Sequence, residues 1–118
     1  MKMPEPDLTV IARRDEIIAA MRRVVPGDGV IVDEDALRVY ECDGLTAYQQ
    51  LPLIVVLPET VEQVSKILKY CHETGVKVVP RGAGTSLSGG ALPVADGITL
   101  AMGKFNRILE IDWDNRCV

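Results

Sequence analysis

The residues of this sequence with the clearest chemical potential are a run of glycines and hydroxyl side chains. It reads Arg81-Gly82-Ala83-Gly84-Thr85-Ser86-Leu87-Ser88-Gly89-Gly90-Ala91. Glycine loses more conformational entropy on folding than any other residue, so four glycines here need a structural reason. Successive backbone N–H groups in such a loop form an anion site, to which the hydroxyls and the arginine add donors and charge. A simple turn between two strands explains one or two glycines but not the whole set, so the run predicts a phosphate site.

Two common phosphate motifs do not fit this run. A P-loop requires Lys and Ser/Thr after its last glycine, and Gly90-Ala91 stands there although residues 84–89 have the glycine spacing. A Rossmann fingerprint needs a third glycine and a helix directly after the first strand. Leu87 occupies the place of that glycine, no helical period follows, and the loop comes after a second strand. Mononucleotide hydrolysis and Rossmann-type binding are therefore disfavoured.

The elements before the loop form a strand–helix–strand pattern. Residues 53–57 are a continuous apolar run that ends at Pro58, which indicates a strand covered on both faces. Thr60 and Gln63 have the spacing of a capping box, and Gly75 stands where a left-handed helix C-cap belongs. A second strand over 76–79 is expected to close at Pro80. The pattern predicts a parallel, right-handed βαβ unit.

The remaining segments complete an α+β prediction. Apolar spacing predicts one amphipathic helix over 9–25, then a strand at 30–32, a short helix from Asp33 to Tyr40 and a loop over 41–52. After the glycine run, alternation at Ile98, Leu100 and Met102 predicts a half-buried strand. Residues 108–111 are another candidate strand, with a hairpin turn at Asp114-Asn115. We expect a βαβ unit followed by antiparallel strands and preceded by an N-terminal helical segment.

The composition of the chain disfavours several classes of function. The net charge of −4, the pI of about 4.9 and 4% aromatic residues disfavour nucleic acid as a partner. Cys42, Cys71 and Cys117 are far apart, so neither a disulfide framework nor a metal site is predicted. His72 follows Cys71 on a helix, where neighbours point about 100° apart, so Cys71 is interpreted as core and His72 as solvated. The N-terminus lacks the apolar run of a secretory signal, which predicts a cytoplasmic protein.

The sequence resembles a known family in the strand and helix after Pro52 and in the string from Val79 to Gly90. It is similar to FAD-linked oxidases of the vanillyl-alcohol-oxidase type, whose flavin domain is the PCMH-type FAD-binding domain. Within that group the likeness is closest to the glycolate oxidase flavoprotein subunit and to D-lactate and D-2-hydroxyglutarate dehydrogenases. Residues 40–48 also look like the glycolate oxidase type. Enolpyruvyl reductases and molybdenum-hydroxylase FAD domains share the fold but have different glycine loops.

The resemblance implies a cofactor, a reaction and a set of binding residues. It implies FAD, and oxidation of a small 2-hydroxy acid to the 2-oxo acid with electrons passed onward. It also implies partner electron-transfer subunits, with which the protein would lie at the inner face of the membrane. Thr85 stands where relatives with covalent flavin place a histidine, so we expect non-covalent FAD. Pro58 is expected beside the adenosine half and Gly90 near the flavin end. The residues expected to cradle the diphosphate are Arg81, Gly82, Ala83, Gly84, Thr85 and Ser86.

The length of the chain bears on what it can do alone. We expect residues 1–50 to form the helical segment and 51–118 the first part of an FAD-binding domain that continues beyond the chain. The family's catalytic residues have no counterparts here, so no catalytic residue is assigned. We expect the isolated chain to be inactive and to associate with itself. The alternative is a non-catalytic nucleotide-binding module complete at 118 residues.

Overall fold

A computed structural model describes residues 3–118 and shows a four-stranded sheet with helices on it. The strands are β1 (Val30–Ile31), β2 (Ile54–Val56), β3 (Lys77–Arg81) and β4 (Gly97–Ala101). The sheet order is β1-β2-β4-β3. Strand β1 is antiparallel to β2, whereas β4 is parallel to both of its neighbours. The two parallel strands and the helix of the predicted βαβ unit are confirmed, and so is the α+β class.

The position of β4 corrects two expectations. It was expected to be antiparallel and half-buried, but it is parallel and lies between the two strands of the βαβ unit. All of its residues are buried because both faces and both edges are covered. Residues 108–111 are not a strand. The predicted hairpin after them is reduced to one antiparallel bridge between Asp112 and Cys117, with N–O distances of 2.9 and 3.1 Å.

Strand β3 also extends further than expected. It continues through Pro80 to Arg81 instead of closing at the proline. The reason is its place at the edge of the sheet, where one row of backbone groups has no strand partner and a missing N–H costs nothing. The extension matters because it makes Arg81 the last residue of the strand that leads into the glycine loop.

The N-terminal helix is interrupted once. The predicted helix over 9–25 is two helices, α1 (Leu8–Ala12) and α2 (Arg14–Val24), separated at Arg13. The Arg13 N–H donates to Val10 O at 3.0 Å, a tighter turn than the α-helical bond, and its guanidinium reaches Thr74 O at 3.3 Å. The apolar spacing continues across this break, so the pattern alone did not show it.

The other helices begin and end as the local signals predict. Helix α3 (Glu34–Leu37) is capped by the Asp33 carboxylate and continues as a 3₁₀ turn over Arg38–Tyr40. Helix α4 (Val61–Thr74) begins with Thr60 Oγ1 accepting from Gln63 N at 3.2 Å. The Gln63 side chain accepts from Glu59 N at 2.7 Å, one residue earlier than in the standard capping box. The helix ends at Gly75 with φ of 71°.

The core lies mainly between the sheet and the helices α2 and α4. This core includes residues from both sides of position 50. The predicted division of the chain into a helical segment and a flavin domain at that position stays a prediction. Cys71 is part of this core, and burial raises the pKa of its thiol to about 11, whereas His72 is exposed. The largest buried side chains of the cluster are Ile17, Met21, Ile54, Ile67 and Ile98.

Candidate cofactor site

The glycine loop begins at the carboxyl edge of the sheet. Strands β2, β3 and β4 are parallel, so their carboxyl ends lie on one side of the molecule. Pro58 follows β2 at this edge, and the loop follows β3. Because β4 lies between them and neighbouring strands are about 4.8 Å apart, the two sites are separated by roughly 10 Å along the edge. Pro58 is fully buried, so it supports this edge from within.

Two glycines of the loop have backbone conformations that favour glycine. Gly84 has φ of 74° and Gly89 has φ of 81°. A Cβ atom at Gly84 would also overlap the guanidinium of Arg81. Gly82 has no such close neighbour, so the structure gives no internal steric reason for a glycine there. Backbone conformation therefore explains glycine at positions 84 and 89, whereas at Gly82 the structure shows only open space beside the loop.

The loop contains a row of backbone donors without protein acceptors. Within residues 3–118, none of the amide N–H groups of residues 82–87 donates a hydrogen bond to the chain. Residues 82, 83, 85 and 87 are exposed and residues 84 and 86 are half-buried, so these donors are accessible to water or to a ligand. Such a row suits an anion with several oxygens, and a diphosphate has this chemistry. The residues present therefore fit the cofactor that the sequence implies.

Ser86 shapes the second half of the loop. Its Oγ accepts from Gly90 N at 3.1 Å and from Ser88 N at 3.4 Å. These bonds curl the chain back on itself, in the manner of a serine turn. The hydroxyl proton remains available as a donor, because both of these bonds use the oxygen as acceptor. Thr85 and Ala83, which precede this turn, are exposed.

Arg81 fastens the loop from its base. Its Nη1 donates to Cys42 O at 2.7 Å and to Ala91 O at 3.2 Å, so it joins the two ends of the loop to an upstream segment. Its guanidinium also lies over the Tyr40 ring, 5.6 Å from the centroid. The structure thus engages one nitrogen of Arg81 in holding the backbone. Contact of Arg81 with the diphosphate stays a prediction.

A segment that sequence reasoning did not place in the site lies against the loop. We call residues 42–45 the clasp. Besides the Cys42 carbonyl, Gly44 N donates to Ser86 O at 2.9 Å, and Asp43 Oδ2 accepts from Gly89 N at 2.9 Å. These contacts join positions more than 40 residues apart, so no local pattern reveals them. The sequence offered two signals here, the resemblance of residues 40–48 to the glycolate oxidase type and the Asp43-Gly44 pair, but neither assigned the segment to the site.

Another cleft lies along the same edge, nearer to α4. Its volume is about 380 Å³, and Lys104 lies in its wall, where it donates to Asp28 at 3.0 Å and Glu59 at 2.9 Å. These two carboxylates raise the pKa of Lys104, Glu59 more than Asp28. Because this cation is already paired with two acids, the cleft gives no reason to move the predicted anion site away from the glycine loop. The cleft is lined by Glu59, Thr60, Val61, Glu62, Lys104, Phe105, Arg107 and Leu109.

Two other kinds of feature are absent from the described part of the chain. No group of His, Cys, Asp and Glu side chains there has the arrangement of a metal site. None of its helices has the length and apolar character needed to cross a membrane.

Comparison with known proteins agrees with the loop chemistry. The profile of the FAD binding domain family matches residues 52–118. The chain is 50% identical over 99 residues to glycolate oxidase subunit GlcD of Escherichia coli (strain K12), an alignment that covers 84% of this chain and 20% of that protein. It is 37% identical over 96 residues to the mitochondrial D-2-hydroxyglutarate dehydrogenase of Bos taurus, covering 81% of this chain and 18% of that protein.

Solved structures give the same fold. p-Cresol methylhydroxylase with substrate bound superposes with a TM-score of 0.73 at 26% identity, covering 93% of this chain and 22% of that chain. The 4-ethylphenol oxidase from Gulosibacter chungangensis superposes with a TM-score of 0.72 at 22% identity, covering 96% and 22%. These likenesses confirm the PCMH-type fold expected from the sequence.

The chain belongs to the FAD binding domain family, and its cofactor is FAD. It is similar to flavoenzymes that act on 2-hydroxy acids, as the resemblance implied. The chain spans about a fifth of the length of the curated relatives it matches. The individual FAD-contacting residues remain predictions, to which the open donors at 82–87 add physical support.

Proposed function

We propose that the protein containing this chain oxidises a small 2-hydroxy acid, of the glycolate or D-lactate type, to the 2-oxo acid. The observation that carries the proposal is the row of open amide donors at residues 82–87, in a chain of the FAD binding domain family. Its 50% identity to a glycolate oxidase subunit supports the substrate class. FAD, when bound, would supply the two-electron acceptor for this oxidation. This chain contributes binding and orientation of the cofactor.

The residues proposed to hold FAD divide into two roles. Backbone N–H groups of residues 82–86 bind the diphosphate, and the hydroxyls of Thr85 and Ser86 add donors. Arg81 supplies positive charge at the base of the loop, and Gly90 passes near the flavin end. Pro58 supports the edge beside the adenosine half. Each charge-assisted hydrogen bond contributes about 1.5–3 kcal/mol, so several together hold a diphosphate firmly.

The reaction is tested with the protein that contains this chain. Glycolate, D-lactate and D-2-hydroxyglutarate are supplied with an artificial electron acceptor, and the bound flavin is measured by its visible absorbance. We expect a yellow protein that reduces the acceptor with at least one of these acids. A yellow protein that oxidises none of them would overturn the substrate class. A colourless protein would favour the non-catalytic module.

We further propose that the FAD is bound without a covalent link. Thr85 stands where relatives with covalent flavin have a histidine, and a threonine hydroxyl is a poor nucleophile without a neighbouring base. Precipitation with acid is expected to leave the yellow colour in the supernatant. Flavin retained in the protein pellet would contradict this proposal.

Association with partners rests on other features. Residues 108–118 present exposed apolar side chains, with Leu109 at 88% and Trp113 at 82% exposure. Exposed apolar surface of this kind tends to pair with another chain, so we propose that the isolated chain self-associates. Light scattering that shows a strict monomer would contradict this.

By similarity to a protein named as a subunit, we propose partner electron-transfer subunits and a cytoplasmic location, to be tested by co-purification and fractionation.

A further inference from the structure

The clasp contains a buried carboxylate beside a loop that should bind an anion. Asp43 is only 6% exposed, although it carries a charged group. A buried carboxylate is costly unless its oxygens are hydrogen-bonded, and a negative charge near a diphosphate is repulsive. Its presence at this position therefore needs a reason beyond packing.

Both oxygens of this carboxylate accept backbone hydrogen bonds. Oδ1 accepts from Leu45 N at 3.0 Å, which closes the clasp on itself. Oδ2 accepts from Gly89 N at 2.9 Å, which joins the clasp to the far end of the glycine loop. Asp43 thus takes two donors from two different segments. An asparagine has one oxygen and one amide group, so it would leave one of these N–H groups facing another donor.

The clasp holds the loop at three places along its length. Arg81 fastens the beginning through Cys42 O, Gly44 N fastens the middle at Ser86 O, and Asp43 fastens the end at Gly89 N. A Cβ atom on Gly44 would lie 2.9 Å from Thr85 O and 3.0 Å from Ser86 O, so the two backbones meet closely. The donors of residues 82–87 lie between the first and last of these contacts.

We propose that Asp43 is a positioning residue for the cofactor, an inference that rests on the proposed diphosphate site. Its carboxylate fixes Gly89 in the left-handed conformation and so sets the curvature of the loop before FAD arrives. A loop already held in its binding shape loses less entropy on binding, which raises affinity without any new contact to the ligand. Because both oxygens accept N–H groups, these two backbone donors partly offset the negative charge of the carboxylate.

The proposal is tested by Asp43→Asn in the protein that contains this chain, with Asp33→Asn as the matched control. Asp33 also accepts a backbone N–H, from Ala36 at 3.1 Å, but it caps α3 and does not touch the loop. We expect the free loop of Asp43→Asn to hold the binding conformation about one tenth as often, which predicts an FAD dissociation constant about 10-fold higher. Asparagine and aspartate are similar N-caps, so the control is expected to stay within about twofold of wild type.

A readout specific to positioning is amide hydrogen exchange without FAD. Asp43→Asn is expected to speed exchange at Gly89, while the α4 amides keep their wild-type rates. A general loss of stability would instead speed exchange in α4 as well, and that result would overturn the positioning role. Wild-type affinity in Asp43→Asn would overturn it also.

A second variant keeps the proposal testable if Asp43→Asn does not fold. Gly44→Ala leaves the carboxylate in place but pushes the clasp away from Thr85 O and Ser86 O, and it is expected to weaken FAD binding by about 10-fold. Failure of the proposed diphosphate site would give a different result. If the wild-type protein does not bind FAD, or if Gly84→Val still binds it, the proposed diphosphate site is wrong. If Gly84→Val abolishes binding while Asp43→Asn and Gly44→Ala do not, only the role of the clasp is wrong.

Discussion

The sheet and the glycine loop satisfy their backbone groups in opposite ways. In β2 and β4 every residue is buried and the strands pair with neighbours of their own chain. In the loop, residues 82–87 keep their N–H groups open within the described chain. Open donors have a cost in a folded protein unless water or a ligand accepts from them. The comparison separates a sheet whose backbone bonds are made within the chain from a loop whose donors are open to water or to a ligand.

The substitution expected to have the largest effect on FAD affinity adds a side chain at Gly84. We expect Gly84→Val to lower FAD affinity by at least about 100-fold, because several charge-assisted bonds are lost together. Positive φ alone makes a non-glycine residue unfavourable by on the order of 1–2 kcal/mol. Isothermal titration of the protein containing this chain with FAD measures the effect.

The matched control for Gly84 is Gly27→Val. Gly27 has φ of 76° and open space around a Cβ, and it lies between α2 and β1, outside the loop. It is expected to lose similar stability from strain but to keep wild-type FAD affinity. Equal affinities for the two variants would mean that the loop is only a linker.

Hydrogen exchange compares the two regions directly. Adding FAD at about 100 times its dissociation constant stabilises the bound state by about 2.7 kcal/mol, so exchange of the amides of residues 82–87 should slow by up to about 100-fold. The amides of α4 and β4 are already bonded within the fold and should change least. Protection that appears in the sheet but not in the loop would place the cofactor elsewhere.

The sequence predicted best what depends on neighbouring residues. The caps of α4 at Thr60 and Gly75 were predicted because their chemistry lies within a few residues of each helix end. The parallel insertion of β4 between β2 and β3 was not, since the order of strands depends on partners far apart in the chain.

The same distinction applies to the site. The glycine loop was visible because its residues are contiguous and their types are unusual. The clasp was missed because Asp43 meets Gly89 across 46 positions. Arg81 was predicted as a ligand for the diphosphate, and its bonds to Cys42 O and Ala91 O became visible only in the fold.

Asp96 lies at the opposite edge of the sheet, where the strand β4 begins, and provides a contrast with the loop. It is 1% exposed, precedes β4, and accepts from Lys77 Nζ at 2.7 Å and Asp7 N at 2.8 Å. Asp96→Asn is expected to lower the free energy of unfolding at pH 7 by about 1–3 kcal/mol through the loss of these bonds. FAD affinity should not change, because this residue lies at the amino end of the strand.

The pH dependence of this effect has a definite sign. Burial by itself would raise the pKa of Asp96, but the bonds from Lys77 and Asp7 outweigh it and hold the pKa below its usual value. Its contribution is therefore complete above the unfolded pKa of about 3.9 and is lost as the pH falls through the lower folded pKa. Urea unfolding at several pH values measures this. Asp35→Asn, at a side chain that is 98% exposed, is the control and should show no such loss.

The smallest expected effect concerns an unpartnered polar atom inside the sheet. Thr99 lies in β4 between Val55 and Val79, and its buried Oγ1 has no hydrogen-bond partner among the described residues. Thr99→Val keeps the shape and removes the hydroxyl, so it should be neutral or stabilise the chain by up to about 1 kcal/mol. Thr74→Val is the matched control, since Thr74 Oγ1 donates to Tyr70 O at 2.7 Å and its loss should destabilise. A lower free energy of unfolding in Thr99→Val would contradict this prediction, and a lower flavin content would mean that the sheet shares the binding role proposed for the loop.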